Sequence, residues 1–180
     1  MATHTPDPDP RDQGDFDYTG GSVDRPDLVD ALDVRVDGDV RFDEYSRRLY
    51  ATDASAYEVT PIGVVIPAST ADVAAVHEYC FEAGIQVLPR GGGTSLAGQT
   101  VGPGCVVLDM SRHMYGLLEI DAEAQRARIQ PGIVQDDLED ELADVGLKFA
   151  PDPASSNRST VGGGIGNNST GAHSVRYGIT

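Results

Sequence analysis

Three consecutive glycines, Gly91, Gly92 and Gly93, constrain this chain more than any other feature. Each glycine gives up more backbone freedom on folding than any other residue, so such a run is costly. It stands within V-L-P-R-G-G-G-T-S-L-A-G-Q, residues 87–99, where a short apolar run ends at Pro89, Arg90 follows, and Thr94, Ser95 and Gly98 complete the stretch. A run of this kind persists where the backbone turns tightly or another molecule lies directly against it. Its successive N–H groups can then converge on an anion as a nest, with the two hydroxyls beside them. The stretch reads as a diphosphate cradle, with a flexible surface turn as the alternative.

The flanking sequence places the run in an α/β setting. Residues 62–66 form an apolar strand closed by Pro67. Ser69 and Thr70 offer N-caps, with Asp72 in capping-box position. Val73, Val76, Cys80 and Ala83 recur at helical spacing, with His77 beside them as a packed or surface histidine, and Gly84 supplies a stop. A second strand, residues 85–88, leads into the glycines. The run therefore follows a strand–helix–strand unit, at the strand end where α/β sheets place ligands. No Lys-Ser/Thr pair follows the glycines and no helix starts inside them, which disfavours both a Walker A loop and a dinucleotide fingerprint.

After Pro103-Gly104 come strands over 105–108, 116–121 and 124–130, then a break at Pro131-Gly132. The next segment predicts a helix with Val134, Leu138, Leu142 and Val145 on one face and Gly146 as its cap. Asp136, Asp137, Glu139, Asp140, Glu141 and Asp144 surround the other side, a solvated face rather than paired catalytic carboxylates.

Residues 151–178 are the second unusual stretch, with five glycines between Gly162 and Gly171 and hydroxyl and amide side chains interleaved. The composition is too polar for a core, and the stretch too long for a neutral connector in a compact domain. A flexible linker is the plain alternative. Two separated glycine-and-hydroxyl segments suggest a long, flat, polyphosphate-bearing ligand gripped at two places.

Together the two stretches carry a resemblance. From about Tyr45 onward the chain resembles the FAD-binding domain of vanillyl-alcohol-oxidase-type flavoproteins, the PCMH fold. Within it, the chain is similar to the D-lactate dehydrogenase/glycolate oxidase branch of FAD-linked 2-hydroxyacid dehydrogenases. The residues that carry it are Asp53-Ala54-Ser55, Arg90 to Ser95, Pro151-Asp152-Pro153, Thr160-Val161-Gly162-Gly163, Asn168, Gly171, His173 and Tyr177-Gly178. The resemblance implies an α+β fold: the front part of the PCMH-type domain, a small parallel or mixed sheet with flanking helices, and a second sheet. It implies that Arg90, Gly91, Gly92, Gly93, Thr94, Ser95 and Gly98 serve the FAD diphosphate. Pro151, Asp152, Ser155, Thr160, Gly162, Gly163, Asn168, Gly171, His173, Tyr177 and Gly178 would run along the diphosphate, ribityl chain and flavin. Some relatives attach flavin through a histidine in the first loop; Thr94 stands there, so the expected FAD is non-covalent. Ser169-Thr170 departs from the small Ala-Gly that relatives favour.

The implied reaction is hydride transfer from the α-carbon of a 2-hydroxy acid, of D-lactate, glycolate or D-2-hydroxyglutarate type, to flavin N5, with an unspecified electron acceptor. The family's remaining FAD-domain strands, its substrate domain and its catalytic residues are expected beyond Thr180. The chain alone is therefore expected to be inactive and to hold FAD weakly. An iron–sulfur cluster is expected, if at all, in a further region. Two other readings stay open: the same fold with another substrate, of sugar-nucleotide reductase or ether-lipid synthase type, or a non-catalytic nucleotide-binding or interaction module.

Composition bears on partners and place. Lys+Arg is 13 against 29 Asp+Glu, a net charge of -16, which excludes phosphate-backbone binding to nucleic acid. Lys148 is the sole lysine and aspartate outnumbers glutamate, a pattern that suits solubility in concentrated salt. Cys80 and Cys105 sit in apolar runs and read as buried hydrophobes, neither disulfide nor metal ligands. No apolar run reaches the roughly 18 residues of a membrane span. The expected location is the cytoplasm, or the inner membrane face as a peripheral protein. Residues 1–44, rich in Pro and Asp, read as an extension whose first dozen residues are disordered, with a helical turn at Leu28, Val29 and Leu32 and extended chain at Val34, Val36 and Val40.

Overall fold

The computed structural model describes residues 16–17, 22–23 and 26–180. The expected disorder of the first dozen residues lies outside the described residues. Two short strands, β1 (Phe16–Asp17) and β2 (Ser22–Val23), pair antiparallel near the N-terminus.

The central sheet has four strands in the order β3 (Asp39–Arg41), β4 (Gly63–Ile66), β6 (Cys105–Asp109) and β5 (Gln86–Arg90). β4, β6 and β5 are mutually parallel, and β3 runs antiparallel to β4 at one edge. Every residue of β4 and β6 is buried, as expected of inner parallel strands covered on both faces. Val65, Val106 and Leu108 face one core with Val76 and Cys80 of α3 (Thr70–Glu82). Val64, Ile66, Cys105 and Val107 face the other, where Tyr50 and Leu88 pack. Pro89 sits inside β5 without conflict, because β5 is an edge strand and its missing N–H interrupts no inner ladder.

α1 (Pro26–Asp33) and β3 fall in the stretch read as an extension, yet Leu28, Val29 and Leu32 are fully part of the α3-side core. The single expected turn is a helix of 8 residues. α2 (Glu44–Leu49) follows, capped by the Asp43 carboxylate, which accepts from Ser46 N at 2.8 Å.

α3 begins as its caps foretell: Ser69 accepts from Asp72 N, and Gly84 ends the helix at φ 67°. Ala83 and His77 are exposed; the buried stripe is Val76 and Cys80. The second sheet is the hairpin β7 (Leu117–Asp121) and β8 (Arg126–Ile129). α4 (Gln135–Ala143) packs Leu138 and Leu142 against it, together with Ile133 and Val161. Val145, assigned from sequence to the same face, lies beyond the helix and is exposed.

The second glycine stretch is more ordered than its composition suggests. It forms α5 (Val161–Gly166) and α6 (Ser174–Tyr177), and Val161 enters the α4 core. The reason is local. Thr160 caps α5 through Gly163 N at 3.2 Å, while Val161 N and Gly162 N each donate at 2.9 Å to the carbonyls of Ile133 and Pro131. Polar sequence folds here because the backbone of the preceding turn holds it.

Candidate cofactor site

The glycine run leaves the C-terminal end of β5, next to β6, with Arg90 in register with Asp109. Among the described residues, no hydrogen bond is donated by the N–H groups of Gly91, Gly92, Gly93, Thr94 or Ser95 to a protein acceptor. The run does accept: Gly93 O takes Ala54 N at 3.0 Å. Gly93 and Gly98 are left-handed, at φ 64° and 77°. Successive free donors on a partly exposed loop are the makings of an anion nest.

The two glycine stretches meet. A β-carbon on Gly91 would overlap Thr160 Oγ1, and one on Gly92 would overlap the Arg158 carbonyl oxygen, both well under 3.0 Å. Gly171 stands equally close to the carbonyls of Pro151 and Asp152, where Ala172 N donates to Asp152 O at 3.0 Å. Gly92 and Gly171 are thus required by protein backbone lying against them, and Gly91 by the Thr160 side chain. Gly98 instead lies beneath the Tyr57 ring.

The expected site residues divide by what their polar groups do. The N–H groups of Gly162 and Gly163 are already bonded, to Pro131 O and Thr160 Oγ1, so α5 keeps its first turn for itself. Pro151 is buried, and the Ser155 carbonyl accepts from Arg158 N and Ser159 N. Asp152 and Asn168 both adopt positive φ, 50° and 48°. His173 Nδ1 lies 3.3 Å from Asp152 Oδ2, and the Tyr177 ring stands edge-on to His173 at 6.3 Å. Gly178, at φ 89°, ends α6. This half of the site is a wall of backbone and polar side chains, and the first loop carries the open donors.

Arg90 faces inward. Its guanidinium donates to the carbonyls of Thr52 (2.7 Å), Tyr50 (3.1 Å) and Thr100 (3.2 Å) and lies 5.2 Å over the Tyr50 ring. Burial lowers its pKa, against the opposing field of Asp109, Tyr50 and Asp53. The Tyr50 hydroxyl donates to Asp109 Oδ2 at 2.5 Å, and its pKa is strongly raised, first by burial and then by that bond. Asp109 Oδ1 accepts from Ser111 N and Oγ. The lead-in is tied by Asp53, which accepts from Ser55 N at 2.8 Å and Thr100 Oγ1 at 3.0 Å. Burial pushes the Asp53 pKa up, but these bonds outweigh it and hold the carboxyl below its usual range.

Asp109 and Thr100 were not legible as site residues. Asp109 signalled only that an apolar strand ends in a carboxylate, and nothing in the sequence links the Thr100 carbonyl to Arg90, which the fold brings to 3.2 Å. Both cysteines are free and buried, and burial pushes each thiol up to about 11. Among the described residues, no cluster of three His, Cys, Asp or Glu side chains could hold a metal ion, and no helix is long and apolar enough to cross a membrane.

Comparison with known proteins decides the family. The FAD binding domain model matches residues 61–180. The chain belongs to this FAD-binding family. Within its PCMH-type FAD-linked branch, it is 40% identical over 146 residues to D-2-hydroxyglutarate dehydrogenase of Pantoea ananatis, covering 79% of this chain and 14% of that protein. It is 35% identical over 150 residues to the glycolate oxidase subunit GlcD of Bacillus subtilis, covering 82% of this chain and 32% of that protein. Among solved structures, an alkyldihydroxyacetonephosphate synthase aligns with TM-score 0.76 at 25% identity over 92% of this chain and 34% of the other. The chain thus spans only a minor part of the relatives it matches. The α+β architecture, with a mixed sheet and a separate antiparallel one, is that of the PCMH-type FAD-binding domain.

The free donors of Gly91 to Ser95 fit FAD on this structure's own terms: a diphosphate needs several donors at close range, and here consecutive N–H groups lack a protein acceptor among the described residues.

Proposed function

We propose that this chain is the FAD-binding front of an oxidoreductase that converts a 2-hydroxy acid of D-2-hydroxyglutarate, glycolate or D-lactate type to the 2-oxo acid. The observation that carries the reading is the open nest of Gly91 to Ser95, set on a chain 40% identical to a D-2-hydroxyglutarate dehydrogenase. When bound, FAD supplies the hydride acceptor. The chain's own residues bind and orient it. The first loop takes the diphosphate on its backbone N–H groups and the Thr94 and Ser95 hydroxyls. The wall of residues 151–178, seated on Gly91 and Gly92, lines the course of the cofactor. Thr94 offers no nucleophilic ring nitrogen, which supports non-covalent FAD. Acid precipitation should leave the protein colourless and the supernatant yellow; yellow retained on the protein would exclude this attachment.

Dye-linked turnover by the protein that carries this chain, with D-2-hydroxyglutarate, glycolate and D-lactate in parallel, tests the substrate class. Reduction of the dye by none of the three, from flavin-loaded protein, would overturn it.

A salt-rich cytoplasm is the setting we propose, on the strength of a net charge of -16 and Lys148 as sole lysine. Screening of that self-repulsion predicts a Tm that rises with added KCl. A flat or falling Tm would contradict it.

A further inference from the structure

We infer that Tyr50 and Asp109 are positioning residues of the glycine loop: acting through Arg90, they set the affinity for FAD by holding the loop in its donor-presenting shape before the cofactor binds. The inference rests on the FAD reading above and goes beyond it, because none of these three side chains is required to touch the ligand.

The argument starts from how the loop keeps its form. A run of three glycines has little shape of its own. Here Arg90 supplies one. A β-carbon on Gly93 would stand 2.7 Å from an Arg90 terminal nitrogen, so the guanidinium lies directly against the left-handed Gly93. The same guanidinium ties together the carbonyls of Tyr50, Thr52 and Thr100, which lie on both sides of the loop in sequence. Ala54 N then holds Gly93 O at 3.0 Å. A planar fork with five donors can make such a set of bonds; an ammonium on a flexible stem cannot reproduce it.

Arg90 is in turn held from below. Its guanidinium lies over the Tyr50 ring at 5.2 Å, and the Tyr50 hydroxyl is fixed on Asp109, the register partner of Arg90 in the sheet. Ser111 fixes the other Asp109 oxygen through its N–H (2.8 Å) and Oγ (2.7 Å). Asp109 is 4% exposed, so the carboxylate is anchored in the sheet end itself. The chain of contact runs from the rigid strand, through Tyr50, to Arg90 and the loop. Preorganisation of this kind raises affinity by removing the ordering cost from the binding step.

The test measures FAD affinity of the full-length protein that carries this chain, by quenching of flavin fluorescence, at a temperature where every variant is fully folded by circular dichroism. Tyr50→Phe keeps the ring under Arg90 and removes only the bond to Asp109. It is expected to weaken FAD about tenfold, with Arg90→Lys weaker still and the double variant no worse than Arg90→Lys alone. Ser69→Ala, which removes a remote helix cap, is expected to lower Tm and leave the affinity unchanged. Wild-type affinity in Tyr50→Phe, or losses that simply add in the double variant, would overturn the inference while leaving the FAD reading intact. Failure of the wild-type protein to bind FAD would overturn both.

Discussion

The carbonyl oxygen of Arg158 occupies the space that a β-carbon on Gly92 would need. This one relationship joins the two glycine stretches. It also gives Gly92 a reason that does not depend on any ligand. Gly92→Ala is therefore expected to force the loop and the 158–160 backbone apart, at a cost of about 1–3 kcal/mol as in overpacked cores. Thermal unfolding reads the loss of stability, and flavin fluorescence the accompanying loss of FAD affinity. An alanine at Gly104, left-handed but with open space around it, separates backbone strain from steric overlap.

Gly91 and Thr160 are expected to couple. The Thr160 hydroxyl both caps α5 and stands where a Gly91 β-carbon would go. Thr160→Ala should cost about 1 kcal/mol as a lost cap. Gly91→Ala should be markedly less damaging in that background than in the wild type, because the overlapping oxygen has gone. Additive losses in denaturant titrations of the four proteins would show that the two sites do not press on one another.

Acid should unfold the protein partly through Asp72. Burial pushes its pKa up, but bonds from Ala68 N, Ser69 Oγ, Asp37 and Gly38 N outweigh that and hold it below the ordinary 3.8. A folded pKa below the unfolded one means stability that is complete above the unfolded value and lost as pH falls through the folded one. Asp72→Asn should lower stability at neutral pH and flatten the acid limb of the stability–pH curve. An unchanged acid limb would contradict this role.

The two thiols should be silent in the native protein. Burial raises both to about 11, so neither forms much thiolate near neutral pH. A thiol reagent at pH 8 should react only after denaturant is added, and then at both cysteines. Rapid labelling of the folded protein would show that one side of the sheet opens.

Much of this structure was legible where the residue pattern and the fold agree. The apolar runs at 62–66 and 105–108 became β4 and β6 because inner parallel strands want apolar side chains on both faces. Ser69, Asp72 and Gly84 marked both ends of α3 by their own chemistry. The glycine run reads from sequence as a ligand cradle, and the structure adds reasons within the protein: Thr160 Oγ1 against Gly91, the Arg158 carbonyl against Gly92 and a left-handed φ at Gly93. What stayed hidden depends on tertiary contact. V-G-G-G-I-G is a poor helix sequence, each interior glycine costing about 1 kcal/mol against alanine. It becomes α5 only because Thr160 caps it and Pro131 and Ile133 take its first N–H groups. Leu28, Val29 and Leu32 look like a stray turn until α3 and the sheet cover them. Arg90 reads from sequence as a ligand contact, whereas its guanidinium is occupied by three protein carbonyls.

Hydrogen exchange of the loop amides bears most directly on the claim that the glycine run is the diphosphate cradle. With FAD at saturation, the amides of residues 91–95 should slow markedly, whereas those of Gly162 and Gly163, already bonded within the protein, should change little. Loop amides that exchange equally fast with and without bound FAD would contradict the account.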